Sequence, residues 1–426
     1  MLKDQPYWWE DAPLANLPPA PVLPKSDVVI VGAGYTGLSA ALTLARAGRS
    51  VQVFDRMRPG EGASTRNAGM ASGNLALSFG ELARKFGEER AKAIQVEARA
   101  AREYLASFIR DEGIDCDFAM TGRFTGATSP ADYDKLARDA ERTQKTIGIE
   151  IYAIPRREQR SILGTDFYHG GVVRFDIGGL HPAKLHRELL RLVLEAGATV
   201  HGETSVNAVQ PDSDGFEVET SRGRVRTNYV ITGTNGYSDS FDPWLRRRLV
   251  PVRSRMIATV PLSGNLMSQL MPKGVMCTET GKLHYYYRPS PDGTRILLGG
   301  RDVANDPQSA VSNLRRALSG IFPELDGVEV THSWYGQVAM NRDMVPRIFS
   351  RRGIRYAAGY CGSGVVWANW AGRKAALQIL GEQDGSSALD FRPPPAIPFY
   401  SGRPWFLPIV IGWKAAQDRW AGRRQK

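Results

Sequence analysis

The chain has 426 residues, more than one hydrophobic core ordinarily organises, so two domains are expected. Its 42% hydrophobic and 23% charged content is that of a globular protein and argues against a low-complexity or fibrous chain. The net charge of +11 is scattered, with short runs at Arg246–Arg248, Arg351–Arg352 and Arg423–Arg424 and no nucleic-acid module around them, so no nucleic-acid partner is expected. A positive field of this kind instead steers anionic small molecules towards a cleft.

Residues 1–26 carry Tyr7, Trp8 and Trp9 followed by five prolines between Pro13 and Pro24, and read as an extended arm anchored by its aromatics. No basic region followed by an apolar signal core opens the chain, so a cytoplasmic location is expected. Next comes a short apolar run, Val28 to Val31, then Gly32-Ala33-Gly34-Tyr35-Thr36-Gly37, a helix-forming segment from Leu38 to Ala47, and a second strand-like run, Ser50 to Phe54, ending on Asp55. Strand, glycine loop, helix, strand and acid stand in the order that dinucleotide binding requires. Gly32 permits the tight turn, Gly34 lets backbone approach a pyrophosphate, and Gly37 lets helix and strand pack closely. The anion rests on the free N–H groups and positive end of the helix. Asp55 is placed to accept hydrogen bonds from ribose hydroxyls. Tyr35, Thr36 and Arg56 complete this set of candidate cofactor contacts.

Residues 81–112 read as one long helix and 131–147 as another. A helix from Pro182 to Ala196, with Gly197 as its C-terminal cap, runs into a strand beginning at Thr199. Short alternating strands follow, with turns at Asp214-Gly215 and Arg222-Gly223, and the run Tyr229 to Thr232 returns to the nucleotide sheet. Residues 249–301 read mostly as strand and suggest a separate antiparallel substrate sheet. Arg355 to Ala358 is a strand entering a glycine loop, Gly359 to Gly364, and then a helix, Val365 to Leu380. The apolar stretch Trp405 to Trp413 is too short to span a bilayer and contains Pro408; it reads as a packed tail or a peripheral membrane contact. Cys116, Cys277 and Cys361 are far apart without metal-ligand spacing, so neither a disulfide framework nor a metal site is expected.

Three glycine-bearing segments distinguish a flavin from a nicotinamide, which usually needs one phosphate loop. The second is Gly60 to Gly69, directly after the acid, and the third is Gly359-Tyr360-Cys361-Gly362-Ser363-Gly364. A flavin gains negative charge on reduction, and backbone donors with a helix N-terminus beside its pyrimidine edge stabilise that charge. With these motifs, residues 27–73 and 355–380 resemble the D-amino-acid-oxidase-like superfamily of FAD-dependent amine and amino-acid oxidoreductases. The Tyr-Trp-Trp arm, Gly62-Ala63-Ser64-x-Arg66-Asn67 and Gly178-Gly179-Leu180-His181-Pro182 look most like its γ-glutamylputrescine oxidase branch, with sarcosine and glycine oxidases as near relatives.

The resemblance implies an α/β, two-domain fold: a glutathione-reductase-like FAD-binding Rossmann domain plus an antiparallel β-sheet substrate domain roofing the flavin. The division it suggests is an arm (1–26), FAD-binding segments at 27–80, 172–238 and 332–383, substrate segments at 81–171 and 239–331, and a tail (384–426). It assigns Gly32, Gly34, Gly37 and Asp55 to the ADP half. It sets Ser64, Arg66, Asn67, Ala68 and Gly69 near the flavin and ribityl chain, Val206 or Val209 against adenine, and Gly362, Ser363, Gly364 and Val365 at the pyrimidine edge. Some relatives attach flavin through a cysteine located where this chain has Gln337-Val338-Ala339, so a non-covalent FAD is expected; Cys361 reads as a small buried residue. Glycine-oxidase-like relatives set a carboxylate-binding arginine where Gln337 stands.

The chemistry implied is oxidation of a C–N bond in a primary or secondary amine, giving an imine that water hydrolyses, with oxygen as electron acceptor. The carboxylate-bearing substrates it suggests are N-substituted glycines, such as sarcosine or iminodiacetate, and γ-glutamyl polyamines. Two rivals stand beside it: a dehydrogenase passing electrons to a quinone or carrier protein, and a flavin-binding protein without catalysis. On the strand Leu283 to Arg288, alternation sets His284, Tyr286 and Arg288 on one face. Tyr286 is a candidate to bound the amine and Arg288 to pair with a carboxylate; the same pattern also fits a tyrosine-rich core strand with a surface arginine. Arg66 is a candidate for cofactor or substrate. Trp334, Gln337 and Trp367 either line the pocket or pack, and His181, before a helix-starting proline, reads as a cap.

Overall fold

A computed structural model describes residues 2–302 and 306–423. The strand Lys25–Val31 is apolar over its last four residues, all of them buried, as a parallel strand covered on both faces must be. It pairs in parallel with Val51–Phe54 on one side and Gly223–Thr232 on the other. Thr199–His201 and Ile354–Ala358 extend the parallel order outwards, and Arg347–Arg351 closes one edge antiparallel. Val206–Asp212 and Gly215–Thr220 add an antiparallel flap to Gly223–Thr232. Helices Tyr35–Arg46 and Gly364–Leu380 lie against each other so closely that a Cβ on Gly372 would sit 2.2 Å from the Thr36 carbonyl oxygen.

The second sheet has eight strands in the order 330–340, 250–259, 296–301, 286–289, 276–279, 123–126, 171–174 and 151–154. It is mixed rather than purely antiparallel, because Met276–Glu279 and Arg123–Gly126 run parallel. One face carries Phe124, Cys277, Tyr287 and Leu298 and is sealed by Leu314, Leu318 and Ile321 of the helix Pro307–Ile321. The other face carries Met256, Leu297, Trp334 and Tyr286 and packs against Ala68 of the second glycine loop. That second face roofs the second glycine loop.

Three expectations need correction. The single helix over 81–112 is two helices, Phe79–Phe86 and Glu88–Asp111, broken at Gly87 with φ 86°. Ser78 and Glu81 form a capping box at the start of the first, two residues earlier than expected. Gly171–Arg174 and Val330–Met340, expected within or across the FAD-binding segments, are strands of the second sheet. The strand expected over Leu283 to Arg288 runs instead from Tyr286 to Pro289.

The N-terminal arm is an anchor, with Trp8 fully buried. Tyr400, Phe406 and Leu407 fasten the C-terminal segment to Val250 and Val252, after which the helix Leu407–Arg423 continues.

Candidate functional site

Three loops converge where the first sheet ends. Gly32 (φ 103°) makes a turn in the left-handed region that favours glycine, and its N–H donates to the Phe54 carbonyl at 2.8 Å. A Cβ on Gly37 would lie 1.8 Å from the Gly32 carbonyl oxygen, so the helix approaches its strand only with glycine there. No side chain of the N-cap residue Gly34 caps the helix Tyr35–Arg46. Asp55 accepts from the backbone N–H of Ala33 at 2.8 Å and of Met57 at 2.9 Å. Burial nevertheless raises its pKa to about 6, because two neutral donors do not replace the water it loses.

The second loop is tied to the first by Ser64, whose Oγ accepts from the Tyr35 N–H at 3.0 Å. Its carbonyls are taken from outside. Trp8 Nε1 donates to the Asn67 carbonyl at 2.8 Å, Trp334 Nε1 to the Arg66 carbonyl at 2.9 Å, and Arg288 Nη1 to the Gly69 carbonyl at 3.1 Å. Trp9 Nε1 donates to Thr65 Oγ1 at 2.9 Å. The third loop joins the first through Thr36 Oγ1 and the Tyr360 hydroxyl, 2.7 Å apart, and meets the strand after the second through Ser72 and Ser363 Oγ, 3.3 Å apart. Cys361 has φ 52° and Gly362 φ 103°, a Cβ on Gly362 would face open space, and no side chain caps the helix Gly364–Leu380. Two helix starts whose own N-cap residues offer no side-chain cap, and an open glycine at the second, suit a long ligand with a pyrophosphate and an anionic ring, the requirements of FAD.

Residues 27–377 match the family described as FAD dependent oxidoreductase. The chain belongs to this DAO family. It is 31% identical over 425 residues to the probable oxidoreductase OrdL of Rhizobium meliloti (strain 1021), covering 97% of each chain. To the gamma-glutamylputrescine oxidoreductase of Escherichia coli (strain K12) it is 30% identical over 389 residues, 90% of each. The glycine oxidase of Geobacillus kaustophilus shares the fold, with a TM-score of 0.72 at 22% identity over 89% of this chain and 99% of that one. The protein is thus an FAD-dependent oxidoreductase of the DAO family, with the two-domain α/β architecture of its relatives.

On the roof, the Tyr286 ring lies across Gly299, where a Cβ would come within 2.3 Å of Cζ. Its hydroxyl is 2.9 Å from Ser254 Oγ, which donates to the Gly300 carbonyl at 3.0 Å. Serine has one proton, so the phenol donates to Ser254 and keeps its own lone pairs as acceptors. Arg288 is buried differently from expectation. Its Nη1 donates to the carbonyls of Leu180 at 2.9 Å, Gly69 at 3.1 Å and Ala68 at 3.3 Å, in a cradle formed by Gly69 and Gly179. Burial pulls its pKa down to about 10, and it serves as a strut between roof and second loop.

Arg66 likewise spends its guanidinium on the Glu61 carbonyl (2.7 Å) and the Trp9 ring (4.7 Å). Gln337 is directly opposite Arg253; alternation sets it with Tyr335 on the face away from Trp334 and Tyr286. There it lines a cleft of about 360 Å³ with Arg56, Asp239 and Tyr237. Arg56 pairs with Asp239 at 2.6 Å. Val206 is buried beside the turn in which the Thr204 N–H donates to the Asp55 carbonyl at 2.7 Å, whereas Val209 lies three residues out along the flap. His181 is a cap: its Nδ1 accepts from the Lys184 N–H at 3.1 Å. Trp367 is fully buried, and its Nε1 has no partner among the described residues.

Sequence reasoning missed Arg301, the last residue of the strand Ile296–Arg301. It is directly opposite Ser254 and two residues from Gly299, hence on the face of Tyr286. Its signal was available only through cross-strand register.

Proposed function

We propose that this protein is an oxidase of a primary or secondary amine that carries a carboxylate, such as an N-substituted glycine or a γ-glutamyl polyamine. The observation that carries the reading is the convergence of three glycine turns beneath a roof whose centre is Tyr286. Kinship with a gamma-glutamylputrescine oxidoreductase and the fold shared with a glycine oxidase support the substrate class. FAD, when bound, supplies the acceptor for the two electrons and the hydrogen of the C–H bond being broken.

The chain's own residues bind, orient and dry the substrate. The Tyr286 oxygen accepts the amine N–H and so holds the neutral nitrogen, the form that can be oxidised. Met256, Leu297 and Trp334 exclude water around it. Burial pulls the pKa of His284 down to about 4, which keeps that ring neutral at pH 7. Burial likewise pushes the Cys361 thiol up to about 11, which suits a flavin that stays non-covalent. Oxygen is the proposed acceptor, giving hydrogen peroxide, and the cytoplasm the proposed location. Anaerobic mixing with a panel of amines, amino acids and N-alkyl glycines tests the reading: bleaching of the flavin by carboxylated amines, with peroxide formed on admitting air, is expected. No bleaching across the panel would return the protein to a non-catalytic flavin carrier.

A second reading, electron delivery to a quinone at a membrane, draws on the C-terminal segment. Phe399 is 93% exposed, Ile409 68%, Trp413 64% and Trp405 59%. Residues 399–426 hold six basic side chains against one acid, the composition of an interfacial rather than a spanning helix. No helix of the described residues is long and apolar enough to cross a membrane. Co-sedimentation with vesicles rich in anionic lipid, lost on Trp405→Ser with Trp413→Ser, favours it; fast reoxidation by oxygen with no vesicle binding removes it.

A further inference from the structure

We propose that Arg301 holds the carboxylate of the substrate and selects for it, an assignment that rests on the amine-oxidation reading above. Arg301 is directly opposite Ser254, the residue that fixes the Tyr286 hydroxyl, so carboxylate and nitrogen sites are neighbours on one face. Its field reaches Tyr286 on the roof and Cys361 in the third glycine loop.

Arg301 lacks a counter-charge beside Ser254 and Tyr286. Most other buried arginines of this sheet and its surroundings are satisfied; Arg123, whose Nε also has no partner, stands three strands away from Ile296–Arg301 and lies in the field of Asp176. Arg255 pairs with Asp302, Arg102 and Arg174 share Asp176, Arg347 pairs with Asp343, and Arg288 has its three carbonyls. Asp302, the neighbour of Arg301 in sequence, points to the opposite face and serves Arg253 and Arg255. Among the described residues Arg301 has neither a hydrogen-bond acceptor nor an ion-pair partner, although burial lowers its pKa. The groups facing this space deepen the imbalance: His284 lies within the fields of Arg301, Lys414 and Arg123, all cations. A partly desolvated guanidinium without an anion is costly, and an arriving carboxylate removes that cost while gaining a planar two-point contact. The substrate is then an amine whose carboxylate lies a few bonds from the oxidised C–N bond, held at one end by Arg301 and at the nitrogen by Tyr286.

The test uses Arg301→Gln and Arg301→Lys in the FAD-loaded enzyme, with the flavin-to-protein absorbance ratio as a check on folding. Methoxyacetate, an ether that mimics N-methylglycine but has no oxidisable nitrogen, is titrated while the flavin spectrum or the heat of binding is followed. Binding roughly tenfold to a hundredfold weaker in Arg301→Gln, with partial recovery in Arg301→Lys, is expected. KM for sarcosine rises by a similar factor, while that for a plain alkylamine stays within about twofold. Equal losses for sarcosine and alkylamine, or unchanged methoxyacetate binding, would overturn the assignment. Arg301-dependent methoxyacetate binding without oxidation of any amine would keep the carboxylate site and dismiss the amine chemistry instead.

Discussion

The cofactor cradle and the substrate roof solve opposite problems. The cradle is built from backbone: turns at Gly32 and Gly362, an acid at Asp55 and helix starts without side-chain caps of their own, with side chains such as Trp8 and Trp334 holding loop carbonyls in position. The roof offers side chains on a sheet whose backbone is already spent on pairing, so the roles proposed for Tyr286 and Arg301 depend on register. A change in the cradle therefore costs the cofactor, whereas one in the roof costs selectivity.

Gly37→Ala breaks the cradle most directly. Its Cβ would press to 1.8 Å from a backbone oxygen that cannot move aside, so loss of nearly all bound FAD is expected in the absorbance of purified protein. Arg288→Ala tests whether a roof residue works as a strut. Removing the donor to the Ala68 and Leu180 carbonyls, while Gly69 keeps only the Leu180 N–H, costs about 3 kcal/mol, seen as a lower unfolding midpoint and weaker FAD retention. Carboxylated and plain amines should then suffer alike; a loss confined to carboxylated ones would make Arg288 a substrate contact.

Acid should destabilise the cradle and the roof together. Burial holds His181, His186, His201 and the roof residue His284 at about 4, below their ordinary 6.5, so each contributes stability that is full above 6.5 and lost as pH falls towards 4. Asp55, raised from 3.8 to about 6, acts in the other direction: its contribution is complete below 3.8 and lost as pH rises through 6. Four groups outweigh one, so the unfolding midpoint of flavin-free protein falls between pH 6.5 and pH 4.5, and falls more steeply in Asp55→Asn. A flat profile would mean that these imidazoles do not couple to folding. The smallest effect is expected from Trp8→Phe, which keeps the buried ring and loses only the bond to the Asn67 carbonyl. About 1 kcal/mol, and a slightly higher dissociation constant for FAD, should result.

The cradle was legible because its determinants are local. A turn, a helix start and an acid lie within one short stretch, Gly32 to Asp55, and glycine is needed for reasons of backbone geometry that no distant residue alters. The caps at His181 and Gly197 could be read for the same reason. The break at Gly87 was missed because the residues on both sides are good helix formers, and only its φ of 86° ends the first helix. The roof was read half correctly. Tyr286 stands where alternation set it, yet Arg288 on the same face turned to carbonyls brought from Ala68, Gly69 and Leu180.

Sequence by itself thus determined the nucleotide-binding unit and the identity of the family, since the glycine turn, helix start and acid that mark them lie close along the chain. Tertiary structure alone decided which face of the roof meets the cofactor, which arginine is consumed by carbonyls and which is left without an anion. Those outcomes depend on strand register and on partners more than a hundred residues away, such as Leu180 for Arg288, and a one-residue slip in pairing would have reversed them.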